Sequence, residues 1–102
     1  MLKKINRISS QKEFGEVKSK GKIRQYPYFG LIEYFGESGK KFGFIISKKI
    51  SKKAVMRNKI KRKICEELRN KLDKFDEGFR GIFLIKKNII DENNNIKDIK
   101  FL

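Results

Sequence analysis

The chain has no histidine, no tryptophan and one cysteine, Cys65. Without histidine and with a lone thiol it cannot assemble a zinc ribbon or finger, a Cys/His nucleophile pair or histidine acid–base chemistry. One cysteine also excludes an internal disulfide and fits a reducing compartment, with Cys65 read as a small helix residue without a reactive role. No apolar run approaches the roughly 20 residues needed to cross a bilayer, and the opening MLKKINRISS lacks the apolar middle of a signal peptide, so no membrane association and a cytoplasmic location are expected. Acids are scarce as well. Twelve Asp and Glu stand against 27 Lys and Arg in 102 residues, a formal charge of +15. The few acids form no evident metal-binding cluster, and no familiar set of catalytic side chains remains. A chain so charged repels its own copies and attracts polyanions, nucleic acid above all.

What is present argues for a folded protein. Nine Phe and three Tyr are too many for a disordered basic tail, and the length suits one domain over residues 1–102 with a single modest core. The stretch ISSQKEFGEVKSKG, residues 8–21, predicts a short helix with Ser9 or Ser10 as N-cap, Gly21 as stop, and Ile8, Phe14 and Val17 on its apolar side. YFGLIEYF (28–35) and KKFGFIIS (40–47) are rich in aromatic and branched residues and flank the turn-forming GESG, a β-hairpin pattern. KGKIRQY, before Pro27, reads as an extended lead-in or an edge strand. After the turn-like DEGFRG comes the apolar strand IFLIKK, then a polar loop and at most two turns of helix.

Residues 51–75 change period. Met56, Ile60, Ile64, Leu68 and Leu72 recur every four positions and make the core stripe of a long helix. On its opposite side fall Asn58, Arg62 and Arg69, flanked by Lys59 and Lys61, with Arg57 at the border. Residues 48–63 hold nine basic residues and no acid, whereas Glu66, Glu67, Asp73, Asp76 and Glu77 follow. That order opposes the helix dipole, which favours acids at the N-terminal end, so the charge is not there to stabilise the helix. It makes a phosphate-binding face, and Asn58 adds an amide able to donate to phosphate or ribose and accept from a base. These features fit a structural ribosomal RNA-binding protein as well as other RNA partners. A helix-turn-helix DNA binder is disfavoured, because an apolar strand stands directly before the basic helix.

One segment is more specific than charge. FGFIISKKISKKAVMRNKIKRKICEELR, residues 42–69, resembles the signature of the bacterial ribonuclease P protein component: an apolar strand, a Ser-Lys-Lys turn, and a helix opening on Ala-Val-x-Arg-Asn-(Arg/Lys)-Ile-Lys-Arg. The rest of the chain resembles it more weakly. The resemblance implies an α+β fold of order αβββαβα, its long basic helix on a small mixed sheet, with a left-handed βαβ crossover like that in the second domain of ribosomal protein S5; general rules favour the other hand. It implies a protein subunit of ribonuclease P, which removes the 5′ leader from precursor tRNA, with the chemistry carried by the catalytic RNA and Mg²⁺ held mainly by that RNA. The implied partners are that RNA and precursor tRNA, not DNA.

By position, Arg57, Asn58 and Lys59, with Lys61 and Arg62, resemble the family's Arg-Asn-Arg motif for catalytic RNA, and Lys48, Lys49, Lys52 and Lys53 resemble its adjoining basic turn. Lys59 keeps the charge of the usual arginine without its bidentate fork. Phe14 resembles the aromatic of the family's leader cleft, and a base stacks on such a ring without sequence preference. Two departures follow. Lys18 stands where many members carry a second aromatic, and Ile32 where the first strand has a tyrosine; Tyr28 and Tyr34 share the strand parity of Ile32 and are the candidate substitutes.

Overall fold

Ser10 starts the first helix by accepting a hydrogen bond from the Glu13 backbone N–H at 3.4 Å, and α1 runs Gln11–Lys20. The Gly21 N–H ends it on the Val17 carbonyl at 2.8 Å. A Cβ at Gly21 would sit 2.5 Å from both Ile32 Cγ2 and that carbonyl oxygen, so glycine is what lets the chain leave the helix this close to the sheet. The computed structural model describes residues 6–47, 49–51, 53–93 and 95–97. After α1 come β1 (Lys22–Gln25), β2 (Phe29–Phe35), β3 (Lys41–Ile45), α2 (Ala54–Asn70) and β4 (Phe79–Ile85), with short 3₁₀ turns at Leu72–Lys74 and Lys87–Ile89.

The sheet order is β1-β2-β4-β3. β1 and β2 form an antiparallel hairpin closed by the Tyr26 N–H on the Phe29 carbonyl at 2.9 Å. The hairpin expected between β2 and β3 does not form, because β4 lies between them, antiparallel to β2 and parallel to β3. The reason is burial. β4 is the most enclosed strand, with its first five residues buried, and a strand that is apolar on both faces belongs in the sheet interior with partners on both sides. Residues 36–40 therefore span two strand spacings, about 10 Å, instead of one. They cross the start of β4, where the Gly36 N–H bonds the Gly78 carbonyl at 2.7 Å.

Alternation along the strands gives two apolar layers. On one face Phe29, Leu31, Phe42, Phe79 and Phe83 meet the buried stripe Ile60, Ile64, Cys65 and Leu68 of α2, joined by Phe75 and Ile89. Aromatic rings dominate this core: Phe42 lies 5.1 Å from Phe75 and Phe29 5.3 Å from Phe83, centroid to centroid. On the other face a smaller cluster of Val17, Ile32 and Ile82 receives α1. Met56 and Leu72, at the ends of the predicted stripe, are half-buried against the larger core. α2 ends at Asn70, short of the expected residue 75, and its last apolar position continues in the 3₁₀ turn.

DEGFRG is not wholly a turn either. Phe79 and Arg80 already belong to β4, paired with Phe35 and Tyr34. Beyond Lys87–Ile89, Asp91 Oδ1 accepts the Asn93 and Asn95 N–H groups at 2.9 Å each, and Ile90 bridges Ile96. The end of the expected terminal helix, residues 98–102, lies outside the described residues.

Candidate nucleic-acid interface

The N-terminal end of α2 carries cations where a helix normally carries acids. Lys53 is its N-cap without a side-chain capping bond, and its first turn has no acidic residue. Arg57 is half-buried because its Nη1 donates to the Ser51 carbonyl at 2.8 Å, which ties the preceding loop to the helix. Asn58, Lys59 and Arg62 are exposed; Lys61 is partly covered, with its Nζ 5.8 Å from the centre of the Phe44 ring. Lys49 and Lys53 are exposed on the approach, while Lys48 and Lys52 lie outside the described residues. Ion pairs among the described residues include Lys20–Glu16, Arg24–Glu33, Lys41–Glu13, Lys71–Glu67 and Arg80–Glu13. Among the described residues, then, Arg57, Lys59, Lys61 and Arg62 have no carboxylate partner. Their counterions come from solution, and a polyanion that displaces those ions gains their release.

The α1 face of the sheet is built in rows set by strand register. Ile23, Ile32, Ile82 and Gly43 form the middle row, Gln25, Gly30, Leu84 and Ile45 the row on one side, and Tyr34, Arg80 and Lys41 the row on the other. Val17 packs on Ile32 and Ile82, and the Phe14 ring lies on Gly43, where a Cβ would come within 2.8 Å of Phe14 Cε2. Glu13 and Glu16 reach the third row, Glu13 toward Lys41 and Arg80 and Glu16 toward Tyr34. Phe14 and Lys18, four positions apart, share another side of α1. Ile45 and Leu84 of the first row remain half-buried and Ile23, at the sheet edge, is 53% exposed.

The structure divides the five candidate cleft residues. Phe14 is half-buried on its glycine and Lys18 is exposed. Ile32 is 6% exposed beneath α1 and is core, not a stacking surface. Tyr34 lines a groove of about 700 Å³ with Glu13, Glu16 and Arg80, and its hydroxyl donates to Glu16 Oε1 at 2.9 Å. That bond, reinforced by the carboxylate charge, holds the phenol pKa above its ordinary value. Tyr28 is apart from all of these. It precedes β2, packs against the α2-side cluster, and has Lys97 Nζ 5.1 Å from its ring centre. Sequence reading missed Ile45, Leu84 and Ile23 on this sheet face, although their alternation with buried Phe residues was the available signal. It also missed Arg80, which was read as part of a turn. Among the described residues, no three His, Cys, Asp or Glu side chains gather as a metal site.

A basic helix on one face of the sheet and a partly open apolar surface on the other define a basic α+β protein. Comparison with known proteins gives the particular one. The model of the family described as Ribonuclease P matches residues 2–100. The ribonuclease P protein component of Finegoldia magna is 34% identical over 90 residues, covering 88% of this chain and 79% of that protein. That of Microcystis aeruginosa is 35% identical over 97 residues, covering 90% and 81%. Among solved structures, the Thermotoga maritima RNase P protein matches with a TM-score of 0.73 at 26% identity, over 81% of this chain and 76% of that one. The Staphylococcus aureus RNase P protein matches at 0.72 and 26%, over 82% and 77%. The chain belongs to the ribonuclease P protein family.

Proposed function

We propose that the chain is the protein subunit of ribonuclease P and works in the cytoplasm, assisting a catalytic RNA in endonucleolytic removal of the 5′ leader from precursor tRNA. The observation that carries this reading, beside family membership, is the first part of α2: cations clustered against the helix dipole, of which Arg57, Lys59, Lys61 and Arg62 have no carboxylate partner among the described residues. Arg57, Asn58, Lys59, Lys61 and Arg62, with Lys49 and Lys53, engage phosphates of the catalytic RNA, offsetting the repulsion between that RNA and its substrate. Phe14 offers a ring to an unpaired leader base and Lys18 a charge to its backbone, over a floor of Ile45 and Leu84. This cleft has one well-placed aromatic, so leader binding draws more on charge than on stacking. Mg²⁺ held by RNA phosphates would supply the activated water; the described residues do not group as its ligands, and no step is assigned to a metal on this chain.

The test is 5′ cleavage of a precursor tRNA by the bacterial ribonuclease P RNA of the same source at low Mg²⁺, with and without the protein, beside the protein alone. Stimulation that requires the RNA supports the subunit role. Cleavage by the protein alone, or no stimulation by a folded protein that still binds RNA, overturns it; the second result would favour a structural ribosomal RNA partner.

A further inference from the structure

Arg80 is the one described charged residue that is buried, at 4% exposure. A guanidinium is expensive to remove from water unless its donors and its charge are met. Its donors are met by backbone: Nη1 reaches the carbonyls of Gly39 at 2.6 Å, Gly78 at 3.1 Å and Phe79 at 3.3 Å, and Nη2 that of Ser38 at 2.7 Å. Its charge is met by Glu13 of α1, with Nε 3.5 Å from Oε2. Lys41, paired with Arg80 in the sheet register, approaches the other oxygen of the same carboxylate at 3.5 Å. Glu13 is thus bracketed by cations on two adjacent strands, and the next residue is Phe14.

We infer that Arg80 is a positioning residue for the leader cleft: by holding Glu13 it sets the rotation of α1 on the sheet and so the placement of the Phe14 ring. Val17 is the only fully buried residue of α1, and with Phe14 only half-buried beside it the apolar contact fixes the helix's roll weakly. The directional ties decide the roll. Glu13 to Arg80 and Lys41, and Glu16 to Tyr34, pull on one side; the Phe14 ring on Gly43 is set by the same angle. The larger core between α2 and the sheet does not depend on these ties, so their loss moves α1 and leaves the fold standing.

The inference rests on the leader reading of the cleft, and the experiment separates the two. Catalytic RNA reconstituted with each protein variant is tested for affinity toward precursor tRNA and toward the same tRNA without a leader; the ratio reports leader binding alone. Arg80→Met and Glu13→Gln are each expected to lower that ratio about tenfold, the size of one lost base stack. Affinity for the catalytic RNA and its salt dependence are expected to stay unchanged. Combined with Phe14→Ala, Arg80→Met should cost nothing further, since both act on one contact. If Arg80→Met does not fold, Glu13→Gln decides alone. A ratio lowered by Phe14→Ala but kept by the Arg80 and Glu13 variants, or losses that simply add, overturns the inference and leaves the leader reading intact. A ratio indifferent to Phe14→Ala overturns both.

Discussion

The Tyr34 hydroxyl and the Glu16 carboxylate, 2.9 Å apart, tie β2 to α1 through a proton that only the neutral phenol can give. The bond raises the phenol pKa, so its contribution is fully present below the ordinary tyrosine value and is lost as pH climbs through the raised one. A ¹³C titration of labelled tyrosine should place the Tyr34 midpoint above the ordinary range, and Glu16→Gln should bring it back toward that range. A midpoint already ordinary in the unaltered protein would mean that the bond is not held in solution. Gly43 makes a different demand. An alanine Cβ there meets the Phe14 ring at 2.8 Å. Overpacking costs about 1–3 kcal/mol, and replacing a strand glycine returns about 0.5–1 kcal/mol. Gly43→Ala should therefore lower stability by about 1 kcal/mol in urea unfolding, while displacing the ring from the cleft.

At the level of elements, what was legible in the sequence was local and periodic. The α2 stripe repeats every four residues, and Ile60, Ile64 and Leu68 are all fully buried; Ser10 and Gly21 bound α1 through bonds within a few residues of themselves. Strand partnership is not local. The two aromatic runs beside GESG look like a hairpin because they are neighbours in the chain, yet β4, nearly forty residues on from β3, takes the place between them. Tyr28 was misplaced because parity was carried one residue too far: regular alternation starts at Phe29, and residues 26–28 are the bend joining β1 to β2. Arg80 was hidden because Gly-Phe-Arg-Gly has turn composition, and a buried arginine becomes tenable only through tertiary partners, the Ser38 and Gly39 carbonyls and the Glu13 carboxylate. The observed order has a measurable consequence. Amide hydrogen exchange should be slowest in β4, bonded on both sides, and faster in β1, an edge strand whose four residues are all exposed. If β4 exchanged as fast as β1, the interior placement would be wrong. Ile64→Ala, emptying space between α2 and the sheet, should cost about 2–5 kcal/mol by denaturant unfolding.

The molecule extends 42 Å along its longest axis, and along α2 its acids and bases are unevenly placed. The basic residues gather before and within the first turns of α2, and Asp73, Asp76 and Glu77 lie beyond its far end. Glu77 is held there by accepting the Gly39 N–H at 2.6 Å, in the loop that crosses the start of β4. Seventeen helical residues separate the ends by about 25 Å, whereas the Debye length is about 8 Å at physiological salt. Asp73, Asp76 and Glu77 therefore do not screen the cations of the first turns, although Glu66 and Glu67 stand closer, within α2 itself. Binding to the catalytic RNA should weaken with salt in proportion to the phosphates contacted, the logarithmic slope changing by about 0.7–0.9 for each contact removed. Arg57→Ala combined with Arg62→Ala should reduce the slope by about 1.4–1.8, while Asp73→Asn combined with Asp76→Asn should leave it unchanged. Arg57 also donates to the Ser51 carbonyl, so circular dichroism must first show that the doubly substituted helix is intact. A folded double variant with an unaltered slope would place the RNA on another face; a slope that moved with the acidic pair would mean that the two ends are read as one surface.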